Sequence, residues 1–161
     1  LFRSVDAVVF RADGRNMIRM NFIDGKPQFQ NSGEFIHTGY ELSARWIPVS
    51  HMQVTASWSD MDLEDETRGY PERKLTLNAS YVYTIARFSV SLLHARDLFG
   101  SDSRQDPLPD YTLLNTSASV QFWNSVSLAL HLKNVLDSSY QTMSGYPMPG
   151  RTLLTRLSYS F

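Results

Sequence analysis

Four histidines, a run of carboxylates and scattered serines are the residues of this chain with chemistry to offer. His37, His51, His94 and His131 lie on four separate stretches, with no H-x-x-x-H spacing and no carboxylate pairing to make a zinc site. They read as solvated or lumen-lining side chains. Asp60, Asp62, Glu64, Asp65 and Glu66 offer the hard oxygens that calcium takes, but their spacing is not that of an EF-hand loop. A solvated acidic loop is the expectation. No G-x-S-x-G turn presents a nucleophile. Without cysteine there is no disulfide and no thiolate site. The expectation is therefore no enzyme, with no catalytic, metal-binding or cofactor-binding residue. The 15 basic and 16 acidic residues leave a formal charge of −1, so there is no basic footprint for nucleic acid.

The elements that must position these residues show one dominant pattern, alternation with a period of two. The last eleven residues, Arg151 to Phe161, place Leu153, Thr155, Leu157, Tyr159 and Phe161 on one side and Leu154, Arg156, Ser158 and Ser160 on the other. The same alternation marks Glu34 to Ile47, His51 to Asp60, Glu72 to Tyr83, Arg87 to Arg96, Tyr111 to Phe122 and Val126 to Leu136. A first strand, about Phe2 to Arg11, has a parity that the sequence leaves ambiguous. Connections alternate in length. Pro48 to Ser50, Ile85-Ala86 and Trp123 to Ser125 read as tight turns, whereas Ala12 to about Phe29, Met61 to Tyr70, Leu98 to Pro109 and Ser138 to Pro149 read as long loops.

Strands of about 10 residues can cross a bilayer at a tilt, although no run of 18 apolar residues could do so as a helix. Short turns at one end and long loops at the other are the asymmetry of an outer-membrane barrel. A soluble β-sandwich would share the alternation. Its exposed face, however, would carry Lys and Glu, where this chain has mainly Ser, Thr, Asn and Gln. Aromatics also gather beside the short turns, at Trp46, Tyr81, Tyr83, Phe88, Phe122, Trp123, Tyr159 and Phe161. The fold expected is all-β: an antiparallel up-and-down transmembrane β-barrel segment of about eight strands, paired in consecutive order. Leu128, Val120, Leu77, Val54 and Leu157 should face lipid; Asn78, Ser117, His131 and Arg156 should face the lumen. With no initiator Met or signal peptide, and a strand from the outset, residues 1–161 are expected to be part of a longer protein lacking its N-terminal portion.

Three ordered segments then carry a resemblance. Asn31-Ser32-Gly33 followed by Gly39-Tyr40-Glu41-Leu42, Asn134-Val135-Leu136-Asp137 followed by Tyr140, and Tyr146-Pro147-Met148-Pro149-Gly150-Arg151 resemble the C-terminal third of TonB-dependent outer-membrane receptors. Pro71-Glu72-Arg73 is a weaker match. The resemblance implies part of a 22-stranded barrel, integral to the outer membrane of a Gram-negative bacterium and surrounded by its lipid. It also implies a plug domain and TonB as partners through the intact protein, and a small chelate ligand, a ferric siderophore or cobalamin. The 145–151 loop leans slightly toward the cobalamin type. Leu157, Tyr159 and the terminal Phe161 resemble the signal read by the barrel-assembly machinery. The alternative is a self-contained eight-stranded outer-membrane barrel, either a structural adhesin or a lipid-modifying enzyme; its lumen face lacks a catalytic constellation.

The residues of these motifs also have plain physical readings. Gly39 permits a bend or a close approach. Glu41 and Arg45 share a face but stand too far apart for a tight pair unless a neighbour bridges them. Glu41 therefore reads as a structural lumen residue, or as a contact for the plug. Pro147 and Pro149 stiffen the last loop and Gly150 frees it for the final strand. Asn134 and Asp137 read as turn-forming caps.

Overall fold

In the computed structural model, residues 2–63, 69–100, 106–123 and 125–160 are described. Eight antiparallel strands form one sheet in chain order: β1 (Phe2–Ile23), β2 (Lys26–Val49), β3 (Met52–Asp62), β4 (Arg73–Tyr83), β5 (Ala86–Arg96), β8 (Tyr111–Trp123), β9 (Val126–Lys133) and β12 (Thr152–Tyr159). Two small hairpins, β6 (Leu98–Phe99) with β7 (Pro107–Leu108) and β10 (Gln141–Met143) with β11 (Tyr146–Pro147), sit within the long connections. The meander is not closed. β1 and β12 are its two edges, as expected of a segment of a larger wall.

Register sorts the side chains into two faces. Val54 lies opposite Ala79, Leu77 opposite Ala56 and Leu92, and Leu128 opposite both Val120 and Leu157. On the other face Asn78 lies between Thr55 and Ser91, and Ser117 between Ser89 and His131. The register also resolves the parity of β1. Val5, Ala7 and Val9 pair with Ala44, Leu42 and Tyr40 on the apolar face; Asp6 and Val8 pair with Ser43 and Glu41 on the polar face. Apolar side chains that a soluble sheet would bury stay open here, among them Val9, Leu153, Leu157 and Tyr159. A continuous exposed apolar face of this extent requires lipid or a partner to cover it.

Two expectations need correction. The segment Ala12 to Phe29 is not a loop, because β1 and β2 run on through it to a turn at Asp24-Gly25. Both turn residues have positive φ, 51° and 74°, which suits a two-residue hairpin whose twist matches its strands. Pairing of β2 with β3 stops at Thr38 and Asp62, so the upper part of β1–β2 rises as a two-stranded ribbon. At about 3.3 Å per residue, the dozen residues from Ala12 to Ile23 extend it by roughly 40 Å. Within the ribbon, Gly14 faces Phe35, whose ring lies over it and supplies the packing that glycine lacks. The second correction concerns β9, which ends at Lys133 and not at Leu136, because Asn134 takes a left-handed conformation with φ 48°.

Candidate functional site

The polar face presents an uncharged ladder flanked by a few charges. Ser89 and Ser117 hydroxyls lie 2.6 Å apart, Asn78 donates to Thr55 Oγ1 at 3.4 Å, and Asn115 donates to Ser91 Oγ at 3.4 Å. Small hydroxyl and amide groups in cross-strand pairs keep a wall hydrated and leave space in front of it. Toward β1 the wall becomes charged. Asp6, Val8, Glu41, Ser43, Ser59 and Lys74 line a shallow open hollow of about 220 Å³. Glu41 lies in register with Val8 on one side and Ser59 on the other, and Ser59 with Lys74. Ser59 is buried, and its hydroxyl has no hydrogen-bond partner. Arg45 does not bridge back to Glu41 through the hydrogen bond seen here; its Nη2 donates to Gln53 Oε1 at 2.8 Å. Gly39 sits just above Glu41, where a Cβ would lie 2.6 Å from the Asp60 carbonyl oxygen. The close approach of β3 therefore excludes a side chain at position 39.

The apolar face ends in a charged row at the long-loop end. The Tyr40 hydroxyl donates to Asp60 Oδ2 at 3.2 Å, and Arg73 Nε donates to the same oxygen at 3.3 Å. Arg73 Nη1 lies 3.2 Å from Asp97, and Arg96 Nε 3.1 Å from Asp110. Asp60 thus belongs to a cross-strand ion-pair row and not to a free acidic loop; Glu64, Asp65 and Glu66 lie outside the described residues. Such exposed pairs contribute only about 0–1 kcal/mol each, but they mark the height at which apolar surface gives way to charge.

The C-terminal motif residues converge on one junction. Buried Asn134 donates from Nδ2 to the Ser138 carbonyl at 2.9 Å and the Pro149 carbonyl at 3.3 Å, while its Oδ1 accepts from the Ser138 amide at 2.9 Å. Asp137, with φ 53°, accepts from the Arg151 amide at 2.7 Å. A Cβ at Gly150 would lie 2.7 Å from the same carboxylate oxygen, which explains glycine at that position. Asn and Asp tolerate positive φ better than other side chains. Two residues thereby reverse the chain and tie its return to the start of β12. The Tyr140 ring packs on Tyr111 with centroids 4.6 Å apart. Tyr146 and Pro147 form β11 and are exposed.

The remaining motif residues are not brought there. Asn31 and Gly33 flank the bulge of the β1–β2 ribbon, opposite Ile18 and Met17, and Gly39 and Glu41 lie lower on the same strand. β2 is second from one edge, whereas β9 and β12 end the sheet at the other. Leu157 and Tyr159 lie on the apolar face; Phe161 lies outside the described residues, although pairing persists to the Ser160 amide, which donates to the Ser125 carbonyl at 2.9 Å. The histidines stay apart. His37 packs on Phe35, His51 is in a turn, His94 is 2.9 Å from Thr112 Oγ1, and His131 faces Ser117. Among the described residues no group of three or more histidines and carboxylates could hold a metal ion. Sequence reasoning missed Asn115, whose Oδ1 accepts from the Asn134 amide at 2.9 Å, and Ser138, whose hydroxyl donates to the Thr112 carbonyl at 2.7 Å. Alternation gives the face of Asn115 but no hint of its partner.

Comparison with known proteins adds to this geometry. The family model "TonB dependent receptor-like, beta-barrel" matches residues 2–135. No curated protein sequence matches the chain. Among solved structures, the siderophore receptor PiuA from Acinetobacter baumannii is similar with a TM-score of 0.75 and 18% identity, over 98% of this chain and 26% of that one. The ferric-catecholate import receptor Fiu from E. coli K12 is similar with a TM-score of 0.69 and 20% identity, over 99% and 25% respectively. The copper transporter OprC is similar with a TM-score of 0.76 and 16% identity, over 99% and 29%. At these identities the likeness is one of fold, and the chain spans a little over a quarter of the length of such structures.

Proposed function

The chain belongs to the TonB-dependent receptor-like β-barrel family, a family of receptors and not of enzymes, and on that premise we propose that it is the C-terminal wall and rim of an outer-membrane receptor that imports a scarce metal chelate. In this reading residues 1–161 form the last eight strands of a barrel of 22. The apolar face meets outer-membrane lipid, and the polar face lines the lumen. The charged hollow around Glu41 seats part of the plug domain, through which TonB supplies energy. The three long connections and the β1–β2 ribbon stand on the extracellular side. The alternation of Leu157 and Tyr159, running to Phe161, is the stretch offered to the barrel-assembly machinery as an addable strand edge.

The observation that carries this reading is the two-faced open meander. One face is apolar and uncovered, the other polar and small-chained, and neither edge strand pairs with the other. An unpaired edge is costly in lipid, which favours a wall continued by further strands over a self-contained eight-stranded barrel. The names of the structural neighbours, two of them receptors for iron chelates, favour a ferric siderophore over cobalamin. The test is uptake of radio-iron-labelled ferric catecholate, and separately of labelled cobalamin, by cells carrying or lacking the full-length protein, each with and without TonB. Accumulation of the iron chelate that needs both the protein and TonB is the expected result. Accumulation of cobalamin alone would reassign the cargo; accumulation of neither, with the protein folded in the outer membrane, would overturn the import reading.

A further inference from the structure

We propose that the polar face of β5, β8, β9 and β12 is an anion path, separate from the plug seat at Glu41, and that the cargo it passes is an anionic chelate; this rests on the reading of that face as lumen. The four strands contain no aspartate or glutamate. Their polar face carries Arg87, His131, Lys133 and Arg156. Among the described residues no carboxylate forms an ion pair with any of the four. β1 and β2 differ, since Asp6 and Glu41 stand on the same face there. The wall is thus divided by sign of charge.

Register orders the basic side chains along the wall. Arg87 pairs with Ser119, Ser119 with Ala129 and Ala129 with Arg156, so two guanidiniums share one row near the short-turn end. His131 stands two residues above Ala129 on β9, and Lys133 two above that, in steps of about 7 Å. Two open hollows follow the same descent. The upper, of about 200 Å³, is lined by Ser89, Ser91, Asn115, Ser117, His131 and Lys133. The lower, of about 310 Å³, includes Arg87, Ser119 and Ser127. Each sets a basic side chain among hydroxyl or amide groups, the donors that an anion needs as it sheds water.

The partners of the polar groups separate this path from a packed seat. Ser89 meets Ser117 at 2.6 Å and Asn115 donates to Ser91, so these groups are satisfied within the wall. Ser59, in register with Glu41, is buried with an orphan hydroxyl that a packed plug segment would meet. A cleft lined by one sign of charge, between low-dielectric walls, concentrates the opposite ion and speeds its arrival by about 10–10³. An anionic chelate gains from that field; a neutral or cationic one does not.

The experiment places a thiol in the upper hollow, Ser117→Cys, in the full-length protein in uncharged detergent micelles, with the unsubstituted protein as background. The thiol is modified by an anionic and by a cationic methanethiosulfonate of similar size, each rate divided by that reagent's rate with a small free thiol. The ratio of the two cancels the thiol's own ionisation and reads the potential at the wall. It should favour the anionic reagent about tenfold or more at low salt. Most of that preference should vanish between about 0.01 M and about 1 M salt, as the screening length falls from about 30 Å to about 3 Å. Adding Arg87→Gln, Lys133→Gln and Arg156→Gln should bring the ratio close to one. A ratio of one without these changes, or a preference for the cationic reagent, would overturn the proposal. So would a thiol that neither reagent reaches until the protein is unfolded, since the plug would then cover this wall. In cells, the triple variant should take up subsaturating ferric catecholate about tenfold more slowly per assembled receptor; uptake at the wild-type rate would show that the cargo passes elsewhere. Absence of uptake by the wild type would sink the import reading alone, because the rate ratio needs neither cargo nor TonB and still decides the sign of the wall.

Discussion

At the scale of single residues, side-chain facing and the Asn134 junction make the sharpest claims. Leu128 lies between Val120 and Leu157 on the apolar face, whereas Ser117 lies between Ser89 and His131 on the polar one. Arginine at Leu128 should destabilise the folded protein by about 2–4 kcal/mol if the position lies near the bilayer midplane, and arginine at Ser117 by much less. Refolding titrations of the full-length protein into micelles check this, and equal losses at both positions would contradict the facing. Asn134 satisfies three backbone partners from a buried position at positive φ. Asn134→Ala leaves the Ser138 amide and two carbonyls short of partners, at a cost of about 1–3 kcal/mol. The same titration measures it, and exchange at the Ser138 amide should rise.

At the scale of elements, the closing strand and the ribbon behave differently. β12 pairs with β9 from Thr152 to Tyr159, and the Ser160 amide still finds the Ser125 carbonyl. On its β9 side the strand stays hydrogen-bonded to the end of the described chain, beside the short turn at Ser125. An aromatic ring at that level favours the membrane interface. Deleting Phe161 from the full-length protein should lower the amount assembled in the outer membrane more than it lowers ligand binding per assembled molecule. Heat-modifiable mobility of membrane fractions, beside binding normalised to folded receptor, separates the two effects; normal assembly with weakened binding would make Phe161 a binding residue instead. The ribbon has no such membrane constraint. Its strands, of 22 and 24 residues, are at least twice the length a tilted strand needs to cross a bilayer, about 9–11 residues, and the surplus stands clear of the sheet.

At the scale of the whole molecule, the open meander bears on the choice between a wall and a complete barrel. Residues 1–161 expressed alone should gain sheet structure in micelles without becoming heat-modifiable, because β1 and β12 would each leave an unpaired edge in an apolar medium. Gel mobility with and without boiling reads the outcome directly. A heat-modifiable species from this chain alone would favour the eight-stranded barrel. The same open geometry explains where the buried core sits. A barrel wall has lipid on one face and a wide lumen on the other, so its side chains touch few neighbours. Among the described residues the buried hydrophobic cluster lies where connections leave the sheet, around Leu98 and Tyr111.

The sequence by itself determined the strands, their order and their faces. Period-two alternation is set by backbone geometry, and the two environments it separates are written in residue type, as at Val54 to Trp58 against Thr55 to Ser59. The parity of β1 was different. Its Val8 and Val9 are adjacent and equally apolar, and only pairing with Glu41 and Tyr40 assigned them to opposite faces. The ribbon escaped because its residues mix charge, glycine and apolar types without alternation. Asp24-Gly25 is the one local signal of a hairpin there. The rim belonged wholly to tertiary structure. Tyr140 and Tyr111 are 29 positions apart, and Gly69, Phe99 and Thr142 come from three different connections. Contacts of that kind have no period to reveal them, because they depend on where strands of fixed length deliver the ends of unrelated loops.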